Sequence, residues 1–234
     1  MTLAQRRLEP ELMDQPGLDK RLHIEALRGL EKVNLISRNA AALWKRIRPL
    51  AAEAKSQPLR VLDIACGGGD TAIALAKRAQ RAKLPVEVSA CDISPTAISY
   101  ARESAEAAQV AVNFFNADVV NSPLPEGYDV ICCSLFLHHL EEAQAIGVLR
   151  EMKRATRRTL LASDLSRDRL GYLLAWCGIR ILTRSHICHV DGPLSVSAAF
   201  TPAEMRRMAE EAGLEGATLR YQWPQRYLLQ WSVA

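Results

Sequence analysis

An apolar run, Val61-Leu62-Asp63-Ile64-Ala65, passes through Cys66 into three consecutive glycines, Gly67, Gly68 and Gly69, and a helical pattern from Thr71 to Arg78 follows at once. A strand, a tight turn and a helix are the simplest reading. The glycines let backbone approach a ligand with no Cβ in the way. The helix N-terminus offers free N–H groups at the same place. Such a unit near the front of an alternating chain is the start of a nucleotide-type cofactor site.

The rest of the chain alternates around it. Strand patterns cover Arg60–Ala65, Val86–Cys91, Val110–Phe115, Tyr128–Ser134 and Thr159–Ala162, with helical patterns over Thr71–Ala79, from Ser94 or Pro95 onward, and about Glu141–Ala155. This predicts an α/β fold, a doubly wound, mostly parallel sheet with helices on both faces. Ligands bind such sheets at the carboxyl ends of the strands, where Asp63, Asp92, Asp118, Ser134 and Asp164 fall. Near the C-terminus Thr201 caps a helix starting at Pro202, with Glu204 as capping-box partner and Gly213 as its end. Thr218–Trp223 and Tyr227–Val233 then read as an antiparallel hairpin, which brings the sheet to seven strands.

Residues 1–57 precede the first strand and read as an N-terminal helical cap or lid, and residues 58–234 as the main domain with a cap insertion at 167–200. Leu22, Ala26, Leu27, Leu30 and Val33 recur at helical spacing. A second helix, Asn39 to Lys55, carries Pro49, which is expected to kink or split it. The insertion begins helical and is expected to turn irregular around Thr183–Val196.

Composition narrows the function classes. Among 234 residues, 49% are hydrophobic and 24% charged, as in a soluble globular chain, and the net charge of +4 comes without a Lys/Arg run, which argues against nucleic acid as partner. The six cysteines include no CxxC pair and read as reduced, buried small hydrophobes of a cytoplasmic protein. Polar and acidic residues follow Arg6 and Arg7, unlike a secretion signal, and the apolar run Gly171–Leu182 is broken by Arg180 and too short for stable membrane insertion.

With these residues in place the chain resembles the class I S-adenosylmethionine-dependent methyltransferases over roughly residues 58–234. That family's turn reads acidic-x-Gly-x-Gly-x-Gly; here Asp63-Ile64-Ala65-Cys66-Gly67-Gly68-Gly69 puts Ala65 at the first glycine, a small change that leaves the assignment intact. Asp92 matches the family's ribose-binding acid, Ala117 and Asp118 its adenine side, and Cys132–His139 its segment after the fourth strand. The N-terminal region and Arg184–Val196 are similar to a bacterial subgroup that acts on phenolic polyketides or quinone-like compounds. A dinucleotide dehydrogenase would want GxGxxG, where this chain has Ala65 and Asp70, and would lack the hairpin.

The resemblance implies a Rossmann-like domain with S-adenosylmethionine as cofactor. Its contacts are expected at Asp63, Ala65, Cys66, Gly67, Gly69, Asp92, Ile93, Ala117, Asp118 and Ser134. Asp92 suits a ribose diol and Asp118 an adenine amino group, although the first also suits a helix cap and the second a turn. His138 and His139 sit where an acceptor pocket would open, and His139 is preferred as the base. His23, Phe136, Arg184 and His189 are expected around the substrate. His186, His189 and Asp191 lack a well-placed further ligand, so no metal is assigned. The expected reaction is O-methylation of a phenolic or quinol ring of a small aromatic or lipidic acceptor, in secondary metabolism. C-methylation of a quinone-type ring and a non-catalytic binding protein stay open, as does a homodimer.

Overall fold

A computed structural model describes residues 3–15, 17–54 and 56–233. Seven strands, β1 (Leu59–Ile64), β2 (Val86–Asp92), β3 (Asn113–Asn116), β4 (Tyr128–Ser134), β5 (Thr156–Leu165), β6 (Thr218–Gln222) and β7 (Arg226–Ser232), form one sheet in the order β3-β2-β1-β4-β5-β7-β6. The first five are parallel; β7 runs antiparallel to both β5 and β6. The order reverses between β1 and β4, where Asp63 pairs with Cys132, so a crevice opens there.

Alternate strand residues build the two faces of the core. Leu62, Ile64, Ile131 and Cys133 pack toward Leu149 and Met152 of α5 (Glu142–Ala155) and Met205 and Met208 of α8 (Pro202–Glu211). Val61, Ala90, Val130 and Cys132 pack toward α2 (Asn39–Glu53), α3 (Asp70–Ala82) and α4 (Pro95–Ala107). Pro49 does not split α2, which runs through it. An interior proline costs about 3 kcal/mol. Leu43 and Ile47 of the same helix are wholly buried, at roughly 1.5–3 kcal/mol each, which offsets that cost.

Over the carboxyl ends lie α1 (Lys20–Ile36), α6 (Arg169–Leu182) and α7 (His186–Ala198), joined by Ala26, Ile179, Ile187 and Cys188. The segment expected to be irregular, Thr183–Val196, is therefore largely helical. Its polar residues and Gly192-Pro193 disguise a helix held by tertiary contact: a Cβ on Gly192 would overlap Ile179 Cδ1, so the Ile179 side chain of α6 lies directly against the backbone of α7. β3 begins at Asn113 instead of Val110, because the Val110 N–H still closes the end of α4 on Ala105 O at 3.2 Å. Five cysteines are buried, but Cys177 is exposed on α6. The capping box at Thr201 and Glu204 forms with both hydrogen bonds.

Ahead of α1 an extended strap crosses the same end. The Leu12 and Met13 N–H groups donate to Asp191 carboxylate oxygens at 2.9 and 3.0 Å, and Arg6 donates to the carbonyls of His138, Leu140 and Ala198.

Candidate active site

A cavity of about 820 Å³ occupies the crevice, walled by the carboxyl ends of the strands, α1, α6 and the strap. Its floor is the turn after β1. Ala65, Gly67 and Gly69 adopt φ of 51°, 51° and 76°. Ala65 thus carries a side chain in the left-handed region at a cost of roughly 1–2 kcal/mol. Asp92 staples the turn to β2: its Oδ2 accepts the Gly67 N–H at 2.8 Å and its Oδ1 the Ser94 N–H at 2.9 Å. Burial raises the Asp92 carboxyl above its ordinary range, and these two backbone hydrogen bonds oppose the rise. Each oxygen retains a lone pair for a ligand.

Ala65, Cys66, Gly67, Asp92, Ile93, Ala117, Asp118 and Ser134 all line the cavity, as does Gly68, which the sequence did not single out. Gly69 does not. A Cβ there would lie 2.8 Å from both Ala101 Cβ and Phe114 Cε1, so this glycine serves the packing of the turn on α4 and β3. Asp118 is engaged by its own turn. It accepts from the Val120 and Asn121 N–H groups and from Asn121 Nδ2, chiefly the last of which holds its carboxyl below the usual range.

Asp63, also in the wall, is 1% exposed. Its Oδ1 lies 3.7 Å from Cys132 Sγ, and its Oδ2 has no partner among the described residues. Burial and the nearby Asp70 push its carboxyl up to about 8. Ser134 Oγ is another buried atom without a hydrogen-bond partner among the described residues. Two orphaned polar groups beside a glycine turn demand polar ligand atoms, since leaving each unpaired costs about 1–3 kcal/mol. The donor set fits an amino acid moiety whose ammonium meets Asp63. Burial also pushes the Cys66, Cys132 and Cys133 thiols up, so they stay protonated and are no nucleophiles.

The histidine pair faces the cavity from a 3₁₀ turn, Leu137–His139. His138 is 2% exposed and doubly held by Asp164: Nδ1 lies 2.6 Å from Oδ1, and its N–H donates to Oδ2 at 3.2 Å. Burial would raise the Asp164 carboxyl, but the charge of and hydrogen bond from His138 hold it below the usual range. With Asp164 on Nδ1, Nε2 is the ring nitrogen left for a further partner, 3.9 Å from Glu11 Oε1. His139 is different. Its Nδ1 pairs with Asp14 Oδ2 at 3.1 Å. Burial opposes charge on His139, yet the hydrogen bond to Asp14 and the charges of Glu11 and Asp164 outweigh it and carry the imidazole up to about 9. A ring already protonated at neutral pH takes no proton. His138, by contrast, has a buried carboxylate on one ring nitrogen and the other ring nitrogen free of it.

Glu11 Oε1 lies 3.9 Å from both His138 Nε2 and His139 Nδ1, and the three can bring ligand atoms within 4.8 Å of one another.

His23 and Phe136 line the cavity. Arg184 and His189 do not: Arg184 is exposed, and His189 Nε2 lies 2.8 Å from the Thr183 carbonyl. Arg167 is buried in a bidentate pair with Glu204 and donates to the Ala199 carbonyl. Sequence reasoning missed Glu11, Asp14 and Arg226, and gave Asp164 no role. Acids beside the apolar Leu12 and Met13 were the one signal for the strap.

Residues 61–159 match the family model described as a methyltransferase domain. The chain is 34% identical over 117 residues to a demethylmenaquinone methyltransferase of Thermus thermophilus, covering 49% of this chain and 51% of that protein. It is 29% identical over 156 residues to a ubiquinone biosynthesis O-methyltransferase of Methylococcus capsulatus, covering 67% and 63%. The chain spans about half the length of the curated relatives it matches. Among solved structures it superposes on an O-methyltransferase-like protein of Nostoc punctiforme with a TM-score of 0.65 at 19% identity, covering 97% of this chain and 64% of that one. It superposes on the magnesium protoporphyrin IX methyltransferase of Synechocystis, solved with S-adenosylhomocysteine, at 0.58 and 18%, covering 95% and 91%. Residues 61–159 thus match a methyltransferase domain, and the sheet order and the turn at Asp63–Gly69 agree with the class I, S-adenosylmethionine-dependent fold that the sequence resembles.

Proposed function

We propose that this protein moves a methyl group from S-adenosylmethionine to a hydroxyl of a small phenolic or quinol ring. One observation carries the reading: a histidine held by a buried carboxylate, His138 on Asp164, opens into the same cavity as the glycine turn and Asp92. The cofactor, when bound, supplies a methyl group on a positively charged sulfur. Asp92 and the turn receive the ribose side, and Asp63 the ammonium, which also returns that buried acid to its ionised form. His138 Nε2 accepts the hydroxyl proton as the oxygen becomes a nucleophile, and Asp164 stabilises the imidazolium. Leu30, Phe136, Leu165 and Leu174 offer an apolar wall that suits a ring and excludes water. The quinone-pathway names of the relatives support an aromatic acceptor of this kind.

No helix among the described residues is long and apolar enough to cross a membrane, which is consistent with a cytoplasmic enzyme. Calorimetry with S-adenosylhomocysteine tests the donor site, and no binding at millimolar ligand sinks the reading. Labelled S-adenosylmethionine with a panel of phenols and quinols then separates O-methylation from C-methylation by product analysis. Binding without turnover on any of them leaves the non-catalytic alternative standing.

A further inference from the structure

Arg226 opens β7 and is 3% exposed, yet it faces the cavity. Among the described residues its Nε and Nη1 meet no acceptor, and Nη2 reaches Asn34 Oδ1 at 3.4 Å. A buried guanidinium has five donors in a planar fork, and leaving most of them dry is costly. Burial lowers its pKa to about 10, with Asp164 and Asp70 opposing from a distance, so it is still a cation at neutral pH. Arg167, by contrast, is spent on Glu204. The geometry points to Arg226 as a subsite for a carboxylate on the methyl acceptor, so that the acceptor is a ring bearing both a hydroxyl and a carboxylate.

The placement favours the acceptor over the methyl donor. β7 stands three strands from β1, roughly 14 Å at the usual strand spacing. Leu165, paired with it across the sheet, and Trp223 and Pro224, just before it in the hairpin, line the same cavity. Asp92 and Asp118 close β2 and follow β3 on the other side of β1. Register puts Arg226 opposite Leu165, the residue after Asp164 and so on the other face of the sheet from it, but Arg226 and His138 both line the cavity beyond the strand ends. One ring can therefore present its hydroxyl to His138 and its carboxylate to Arg226, where a planar fork receives two oxygens at once. The charges that act on Arg226 are those of Asp164 and Asp70, neither of which its guanidinium hydrogen-bonds among the described residues.

This inference rests on the methyl-transfer reading, and its test separates the two. Binding of salicylate against salicylamide, and of 4-hydroxybenzoate against 4-hydroxybenzamide, is measured by calorimetry on the full chain, with and without saturating S-adenosylhomocysteine. The wild-type protein should bind at least one carboxylate about tenfold or more tighter than its amide, the scale of a charge-assisted hydrogen bond. Arg226→Gln should erase that preference and Arg226→Lys keep part of it, with affinity for S-adenosylhomocysteine within about threefold of wild type. The wild-type comparison needs no variant, so a folding defect in Arg226→Gln leaves the test intact. Equal binding of acid and amide, binding of neither, or a preference that survives Arg226→Gln overturns the inference. So does a loss confined to S-adenosylhomocysteine, which would give Arg226 to the donor. Failure of the wild-type protein to bind S-adenosylhomocysteine sinks the donor reading alone, because the benzoate arm without nucleotide still decides the role of Arg226.

Discussion

His138 Nδ1 sits 2.6 Å from Oδ1 of Asp164, a carboxylate 1% exposed at the end of β5 that also accepts the His138 backbone N–H. One acid therefore sets both the ring and the main chain of the histidine. The neighbouring His139, in ring contact at 4.3 Å between centroids, is tied to Asp14 instead. Two adjacent histidines thus have different partners, a buried carboxylate for His138 and the strap's Asp14 for His139.

His138→Gln should lower kcat by about 10²–10⁴, the usual scale for a general base, with little change in S-adenosylhomocysteine affinity. Asp164→Asn should lower kcat as well, because an amide there no longer enforces the Nε2-acceptor tautomer. Steady-state kinetics on a turned-over phenol checks both. Full activity in His138→Gln would return the base to another group.

The His139–Asp14 pair makes stability depend on pH. The folded His139 pKa lies near 9 against 6.5 when unpaired. The pair's contribution is then fully present below about pH 6.5 and fades as pH rises through 9. Asp14 moves the opposite way, held low by His139 although burial opposes, so its part fades as pH falls through its depressed folded value. Thermal unfolding of wild type and Asp14→Asn between pH 6 and 10 should show the two curves converging at the alkaline end. Parallel curves would remove the pair.

Asp63 trades stability for binding. Its carboxyl is pushed to about 8, so ionising it in the empty protein is unfavourable. Its stabilising contribution, as the neutral acid, is present below about pH 4 and is lost as pH rises through 8. Asp63→Asn should unfold at an equal or higher temperature than wild type at pH 9, while binding S-adenosylhomocysteine at least about tenfold more weakly. Unchanged affinity would mean that the acid only orders the turn.

Asp92→Ala removes the acceptor of the Gly67 and Ser94 N–H groups. Hydrogen bonds to a charged group are each worth about 1.5–3 kcal/mol, so the loss in cofactor affinity should exceed about tenfold. Calorimetry reads it directly.

The three glycines separate packing from ligand approach. Gly69→Ala should cost about 1–3 kcal/mol of stability, since its Cβ would press on Ala101 and Phe114 at a left-handed position. Gly67→Ala meets only Leu27 Cδ2 at 3.9 Å and lines the cavity, so beyond its backbone strain it should show more strongly in ligand affinity. Denaturant unfolding and calorimetry on both variants distinguish the two effects.

Local pattern alone determined the order of elements, the turn at Asp63–Gly69 and the acids at the strand ends, because strand alternation, glycine turns and helix caps act over a few residues. It stopped short wherever the deciding contact was distant in the chain. The helix His186–Ala198 stands on Ile179 and Ala26, and its own polar residues hide it. The different settings of His138 and His139 depend on Asp164, 26 positions on from His138, and on Asp14 of a strap whose residues carry no helical or strand period. Arg226 reads in sequence as one more surface cation; only the closure of α1 and the final hairpin over the sheet buries it and leaves its donors facing the cavity. Burial and pairing are properties of the assembled chain, so the chemistry of each titratable group was decided by the tertiary structure, while the place for the cofactor was already written in the turn.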